Sequence, residues 1–307
     1  MVDENPWCLV VNPAAANGTC GRRWAALEPR LRTAGCHFEA TLTGTPEALA
    51  RTVDDALDRG FKRFLAAGGD GSLNQLAQVL LSREPDRSSE LAIGVLPLGS
   101  GNDWAAWRGL ALDTAARDLA CARLGPLDAG VVTFDDGTPP RYFLNVAGAG
   151  LDGWLLARMQ GQAHGHRRYL TEAIRGLFSF APAEFKLDSP GGRLEGSGLT
   201  TVVALGPRCG GGMRLATGLR QQGDDLECLL VRPITLPADL KVLGSLHNGR
   251  LASRGYARLI KSSLLRIETD RPVPVQVDGE PVGQTPCTIR LLPGALQGLL
   301  PAAPDYR

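Results

Sequence analysis

The 307-residue sequence predicts two domains of different class. Residues 1–130 read as an α/β domain, a parallel sheet wrapped by helices. Residues 131–290 read as a mainly antiparallel β-sandwich, and 291–307 as a segment returning to the first domain. Three observations predict this. Up to Leu124, apolar runs alternate with amphipathic helical patterns, as in a parallel sheet covered by helices. After about Gly125, strand-like runs separated by Gly and Pro take over, with only two helical stretches among them. Small-residue loops follow three of the front-half strands, at the carboxyl ends where α/β sheets hold ligands.

Trp7–Val11 is a continuous apolar run, read as a buried strand, and it ends in Asn12-Pro13 and a small-residue loop through Gly21. Arg22–Leu31 reads as a helix with Trp24, Leu27 and Leu31 on one face. His37–Leu42 alternates as a second strand. Thr45 is a good N-cap for the next helix, with Pro46 at its first position. Phe61–Ala67 and Leu91–Leu96 are the third and fourth strands, and helical patterns at Trp104–Arg108 and Thr114–Leu124 close the region. In the second half the strand-like runs are Val131–Phe134, Arg141–Val146, Ala183–Leu187, Leu199–Leu205, Leu226–Val231, Leu264–Thr269, Val273–Val277 and Cys287–Leu291. The helical stretches lie near Trp154–Phe180 and Pro237–His247.

The composition, 44% hydrophobic and 21% charged, is that of a soluble globular protein. A net charge of +1 gives no reason to expect nucleic acid as a partner. Lysine occurs only at 62, 186, 241 and 261, so cationic contacts to phosphate fall mostly to arginine. The seven cysteines are scattered without a C-x-x-C pair, which suggests neither zinc nor a redox couple. No run reaches 18 apolar residues, and MVDENPW lacks the features of a secretory signal. A cytoplasmic protein with reduced thiols is expected.

The chemistry concentrates in Phe64–Gln75, FLAAGGDGSLNQ. A strand, a glycine turn and a helix place backbone N–H groups and a helix N-terminus at one point, a way to hold phosphate. Gly68, Gly69 and Gly71 let backbone approach a ligand, Ser72 adds a hydroxyl, and Leu73 and Asn74 follow. Asp70 makes sense in an anion site when a divalent cation bridges it to phosphate; the plainer alternative is a helix N-cap. The other two loops converge on the same end of the sheet. Asn12 and Pro13 contribute an amide side chain and a turn. Pro97–Asp103, PLGSGND, contributes Gly99, Ser100, Asn102 and a second acid at Asp103. Together they read as a nucleotide-phosphate site, and the absence of G-x-x-x-x-G-K-[ST] excludes a Walker-type ATPase. Arg22 and Arg23, after the first loop, suit either phosphate or solvent.

Gly148–Gly153 is a literal G-x-G-x-x-G, but a dinucleotide site requires a βαβ unit, and the surroundings read as antiparallel. His164 and His166, two residues apart, do not share a helix face, which argues against a metal there.

Asn12-Pro13, Gly68–Ser72 and PLGSGND together resemble the diacylglycerol kinase catalytic-domain family, which includes bacterial lipid kinases and sphingosine kinases. NVAGAGLD (Asn145–Asp152), GGGM (Gly210–Met213), Gly223–Leu226 and QVDGEP (Gln276–Pro281) follow in the family's order. The resemblance runs from about Trp7 to Leu300. It implies an NAD kinase/phosphofructokinase-like first domain, a sandwich that meets the lipid, and transfer of the γ-phosphoryl of ATP to a lipid hydroxyl. By similarity the nucleotide lies in the interdomain cleft, held by Gly68–Asn74, Ser100 and a threonine after the second strand, Thr43 or, second, Thr41. Asp70 would help organise Mg²⁺. Glu280 would take the acceptor's proton with Asp278 beside it, although Asp278-Gly279 alone also reads as a type I′ hairpin turn. The family further implies a structural cation site, Mg²⁺ or Ca²⁺, from the Asp224 carboxylate and the carbonyls of Gln221 and Leu226.

This chain departs from the family where Asp225 replaces the usual glycine, Ser72 and Ser100 replace threonines, Gln75 replaces a frequent Glu, and Thr217-Gly218-Leu219 replaces Pro-x-Ala. A basic, apolar-flanked patch over Trp154–Phe180 (Arg158, Arg167, Arg168, Arg175) suits weak docking on an anionic membrane surface. A homodimer is compatible with the sequence. Two other functions fit the motifs: a kinase of a soluble acceptor, since NAD kinases and phosphofructokinases share Gly-Gly-Asp-Gly, and a nucleotide- or lipid-binding regulator without catalysis.

Overall fold

Strictly apolar strands need cover on both faces, and the first strand has it: all five residues of β1, Trp7–Val11, are buried. In this computed structural model the described residues are 6–159, 176, 179–209, 213–214, 225–235, 242, 245 and 249–302. The chain divides into two compact units, Met1–Asp128 with Pro293–Arg307, and Ala129–Leu292.

In the first unit α1 (Thr19–Thr33), β2 (Phe38–Leu42), α2 (Pro46–Asp58), β3 (Arg63–Gly68), α3 (Asp70–Arg83), β4 (Ala92–Pro97), α4 (Asp103–Arg108) and α5 (Ala115–Cys121) follow β1. The sheet order is β2-β1-β3-β4, all parallel. Amphipathic spacing decides the helix faces: α1 buries Trp24, Leu27 and Leu31, and α2 buries Leu49, Val53 and Ala56. The Thr45 hydroxyl caps α2 by accepting from the Ala48 N–H at 3.2 Å. The loops after β1, β3 and β4 emerge at the carboxyl end of the sheet.

The second unit opens within β5 (Leu124–Phe134), seven residues longer at its start than its apolar run indicates. It continues through β6 (Arg141–Phe143), β7 (Val146–Gly150), α6 (Leu151–Met159), β8 (Ala183–Ser189), β9 (Gly192–Gly198), β10 (Thr200–Ala204), β11 (Arg208–Cys209), β12 (Met213–Arg214), β13 (Leu226–Val231), β14 (Ala257–Ser262), β15 (Leu264–Thr269), β16 (Pro274–Val277), β17 (Glu280–Gln284) and β18 (Cys287–Leu299). One sheet runs β14-β13-β10-β7-β16-β17, antiparallel throughout. The facing strands β15, β8 and β9 pair antiparallel with one another and with the start of β18.

Period-2 alternation sends Val203, Cys228 and Leu230 inward against Phe185, Leu187, Ile267 and Ile289. Their neighbours Val202, Leu229 and Val231 pack on the other face with Leu251 and Tyr256. The far end of β18 leaves this unit and adds parallel to β4 through Gln297↔Ala92 and Gly298↔Ile93.

Among the described residues five strands escape sequence periodicity, and two of them, β11 and β12, are only two residues long. β9 is glycine-rich, β14 carries exposed polar residues, and β17 is half-buried along its length. Arg141–Val146 is not one strand but two. Its break at Leu144-Asn145 is where the Asp278 carboxylate binds the backbone.

Candidate active site

Two loop systems carry the sequence-predicted residues, one in each unit. In the first, the glycines serve loop-to-loop contact. A Cβ on Gly99 would lie 2.3 Å from the Gly69 Cα and 2.6 Å from its nitrogen, and one on Gly69 would meet the Gly101 carbonyl oxygen at 2.6 Å. Gly68 leaves room for the Ser72 side chain, whose Oγ stands 2.2 Å from the position of a Cβ there. The Gly68 carbonyl accepts from the Leu98 and Gly99 N–H groups, both at 2.9 Å. The loops after β3 and β4 therefore form one interlocked platform. Gly99→Ala is expected to force these backbones apart, lowering stability by about 1–3 kcal/mol. Gly71→Ala, where a Cβ has nothing within 4 Å, should stay within about 0.5 kcal/mol of wild type. Thermal unfolding of the pair checks both.

Asp70 is the first residue of α3, and Gly69 is that helix's N-cap. The expected alternative role, capping its own helix, is corrected: the carboxylate caps α4 instead. Its Oδ2 accepts from the Asp103 N–H at 2.9 Å and its Oδ1 from the Trp104 N–H at 3.0 Å. Burial pushes the Asp70 carboxyl above the ordinary range; these two N–H groups oppose the rise, and the Asp103 charge adds to it. Between its unfolded and its raised folded value the native state holds the proton more tightly, so stability falls as pH rises through that window. Asp70→Asn should remove this slope, read from urea unfolding across acidic pH.

Asn12 ties the first loop to the platform, donating from Nδ2 to the Ser72 Oγ at 3.2 Å and accepting from the Ala14 N–H at 3.1 Å. Pro13 packs beside Gly21. Ser100 is exposed. Asn102 donates to the Gly99 carbonyl at 3.0 Å, which fixes its amide orientation and leaves its Oδ1 buried with no partner. Leu73 has its side chain buried in the core, and its N–H bonds the Gly69 carbonyl at 3.1 Å. Asn74 is likewise buried, near the Gln78 amide. Thr43 is buried with its hydroxyl 3.4 Å from the Val11 carbonyl, whereas Thr41 is exposed on β2. Arg23 donates to the Leu98 carbonyl at 2.8 Å and so braces the third loop.

In the second unit Val277 pairs with Glu280 across a two-residue turn, and Asp278 and Gly279 have φ of 45° and 89°. Two left-handed residues make this the expected type I′ hairpin. Asp278 is committed to structure as well. Its Oδ1 accepts from the Val146 and Asn145 N–H groups at 2.7 and 3.1 Å, and its Oδ2 from the Leu144 N–H at 2.9 Å. Glu280 stands at the start of β17, half-buried, with its Oε2 3.1 Å from Arg141 Nη2. Arg141 opens RYFLNV, the segment that Asp278 grips; only the pairing of β16 with β7 brings it to Glu280.

The G-x-G-x-x-G at Gly148 ends β7 and opens α6, yet β7 is antiparallel to both neighbours, so it has no βαβ context. Its glycines answer close packing: a Cβ at Gly148 would meet Asp152 Oδ2 at 2.4 Å, and one at Gly153 the Pro274 carbonyl at 2.5 Å.

Gln221 and Asp224 of the expected structural cation site lie outside the described residues, as do Gly210–Gly212, His164, His166 and three of the four arginines of the basic patch; Leu226 is the buried first residue of β13. Among the described residues no three His, Cys, Asp or Glu side chains gather, and no helix is long and apolar enough to cross a membrane.

Residues 6–132 match the diacylglycerol kinase catalytic domain, and residues 145–300 match the YegS C-terminal NAD kinase beta sandwich-like domain. The chain belongs to the diacylglycerol kinase catalytic-domain family. Curated relatives span it nearly end to end. A protein of Pseudomonas fluorescens named "Probable lipid kinase YegS-like" is 30% identical over 90% of both chains. One of the same name from Klebsiella pneumoniae is 28% identical over 95% of both. A crystal structure described as a diacylglycerol kinase from Bacillus anthracis str. Sterne shares the fold, with TM-score 0.72, 18% identity, and coverage of 97% of this chain and 98% of that one. Membership makes this chain a kinase of the lipid-kinase family, with the α/β and β-sandwich architecture its sequence predicts.

Proposed function

We propose that this protein transfers the γ-phosphoryl group of ATP to the hydroxyl of a lipid, diacylglycerol-like or sphingoid, which it meets peripherally at a membrane surface. The platform of Gly68–Asn74 and Gly99–Asp103 holds the phosphates, through the N–H groups of Gly71 and Ser72, which have no intrahelical acceptor, and the Ser100 hydroxyl. Mg²⁺ fits the oxygen donors there: the Asp70 and Asp103 carboxylates and the orphaned buried Oδ1 of Asn102. With no three-acid cage among the described residues, these side chains suit a cation shared with phosphate. Bound, it neutralises charge on the phosphates.

Glu280 is the base. The single observation that carries this is that three backbone N–H groups engage both oxygens of Asp278, which ties that acid to the backbone and favours Glu280 as the acid of the turn that takes the proton. Arg141 holds the Glu280 carboxylate and brings a cation beside it.

The test offers radiolabelled ATP with vesicles of diacylglycerol, sphingosine, ceramide or phosphatidylglycerol, and separately NAD and fructose 6-phosphate. Label is expected in a lipid; label in the soluble products alone overturns the proposal.

A further inference from the structure

Asp152, at the start of α6, is a half-buried acid that the proposed reaction does not use. Its Oδ1 accepts from the Thr200 hydroxyl at 2.6 Å and the Gly153 N–H at 2.9 Å, and its Oδ2 from Gln276 Nε2 at 3.1 Å. Gly148 makes room for that oxygen. The Gln276 amide is buried, and its other end, Oε1, accepts from the Gly279 N–H at 2.9 Å. Gly279 is the residue before Glu280. A primary amide has one donor end and one acceptor end. Asp152, which offers only acceptors when ionised, therefore dictates which end of Gln276 faces the turn. Burial pushes the Asp152 carboxyl upward, and the Thr200, Gly153 and Gln276 donors oppose that rise.

We infer that Asp152 and Gln276 are positioning residues: Asp152 orients the Gln276 amide so that its oxygen anchors the Gly279 N–H, and this anchor aims Glu280. The inference rests on Glu280 being the base. It joins two motifs 124 positions apart in sequence, GAGLD and QVDGE, into one hydrogen-bonded line.

The polarity of the line makes it testable by a swap. In Asp152→Asn the oxygen stays with Thr200 and Gly153, so the new NH₂ faces Gln276, whose amide must turn and present NH₂ to the Gly279 N–H. Gln276→Glu places a second carboxylate against Asp152. The double variant Asp152→Asn/Gln276→Glu restores a donor–acceptor match at each step. Its carboxylate, now at position 276, accepts both from the amide introduced at position 152 and from the Gly279 N–H.

Each single variant should lose about tenfold or more in kcat, since small misplacement of a reacting group is costly. KM for ATP should stay within about twofold, because the nucleotide loops are untouched. The double variant should recover to within about threefold of wild type. The Gly279 amide, followed by ¹H–¹⁵N NMR, should shift and lose exchange protection in Asp152→Asn and regain both in the double. A double variant no better than the worse single, or a Gly279 amide unmoved in Asp152→Asn, overturns the inference. Should a single variant fail to fold, a double variant that folds with a wild-type Gly279 signal supports it, and one that also fails overturns it. Full activity in Glu280→Gln would instead refute the base, while the Gly279 signal still reports on the line without any turnover.

Discussion

Glu280→Gln is expected to lower lipid phosphorylation by about 10²–10⁴-fold in kcat, the range that general-base removal costs, with ATP affinity and thermal stability close to wild type. The substitution keeps the side chain's shape and deletes only its capacity to take a proton. Stability should hold because the Arg141–Glu280 pair is half-exposed on both sides, and such pairs contribute about 0–1 kcal/mol. ATP affinity should hold because the phosphate platform is built from other residues. Phosphoryl transfer draws most of its acceleration from positioning and charge neutralisation, so a residual rate is expected. Steady-state kinetics on the lipid that accepts label, together with calorimetric ATP binding, measure both halves. An unchanged kcat removes Glu280 from the mechanism.

Asp278→Ala should fail in a different way, by unfolding. Its carboxylate is the acceptor for three successive N–H groups, Leu144, Asn145 and Val146. An unsatisfied buried donor costs about 1–3 kcal/mol, and water reaches part of this site, so a loss of about 3–5 kcal/mol is expected. The residue also has φ 45°, where aspartate is tolerated better than alanine. Asp278→Asn keeps one acceptor oxygen and the turn preference, and should fall between wild type and alanine. Urea unfolding of the three proteins gives the order. If Asp278→Ala were as stable as wild type yet inactive, Asp278 rather than Glu280 would be the proton acceptor.

These two variants separate what the motif letters leave joined. The string QVDGE contains two acids one residue apart, and elementary chemistry lets either reach a hydroxyl. Their difference lies in what each one touches, and that depends on β16 lying against β7 so that Asp278 reaches the chain break at Leu144-Asn145. The same holds for Gly-Gly-Asp-Gly. Its glycines read as freedom for backbone to approach a ligand, whereas Gly69 and Gly99 are required by each other. Asp70 reads in its plainer sense as a cap for its own helix, whereas its oxygens bind the first turn of α4. Arg141, Asp152 and Gln276 were all visible as letters, two of them inside quoted motifs, without any local signal of a role, and Arg23, which reads as suited to phosphate or solvent, binds the Leu98 carbonyl.

What the sequence determined alone is what local spacing controls. Continuous apolar runs alternating with 3.6-period helices make the parallel sheet, period-2 runs make the sandwich, and small-residue loops gather at the carboxyl ends of the parallel strands. Glycine- or polar-rich strands such as β9, β14 and β17 carry no such period and were not legible. Only the tertiary structure decided the partners of the polar groups. A hydrogen bond is satisfied across space, between residues such as Asp278 and Val146 or Asp152 and Gln276 that lie more than a hundred positions apart. Burial makes an unmet donor too costly to leave, so the fold commits Asp278 to its three amides and leaves Glu280 at the turn's edge.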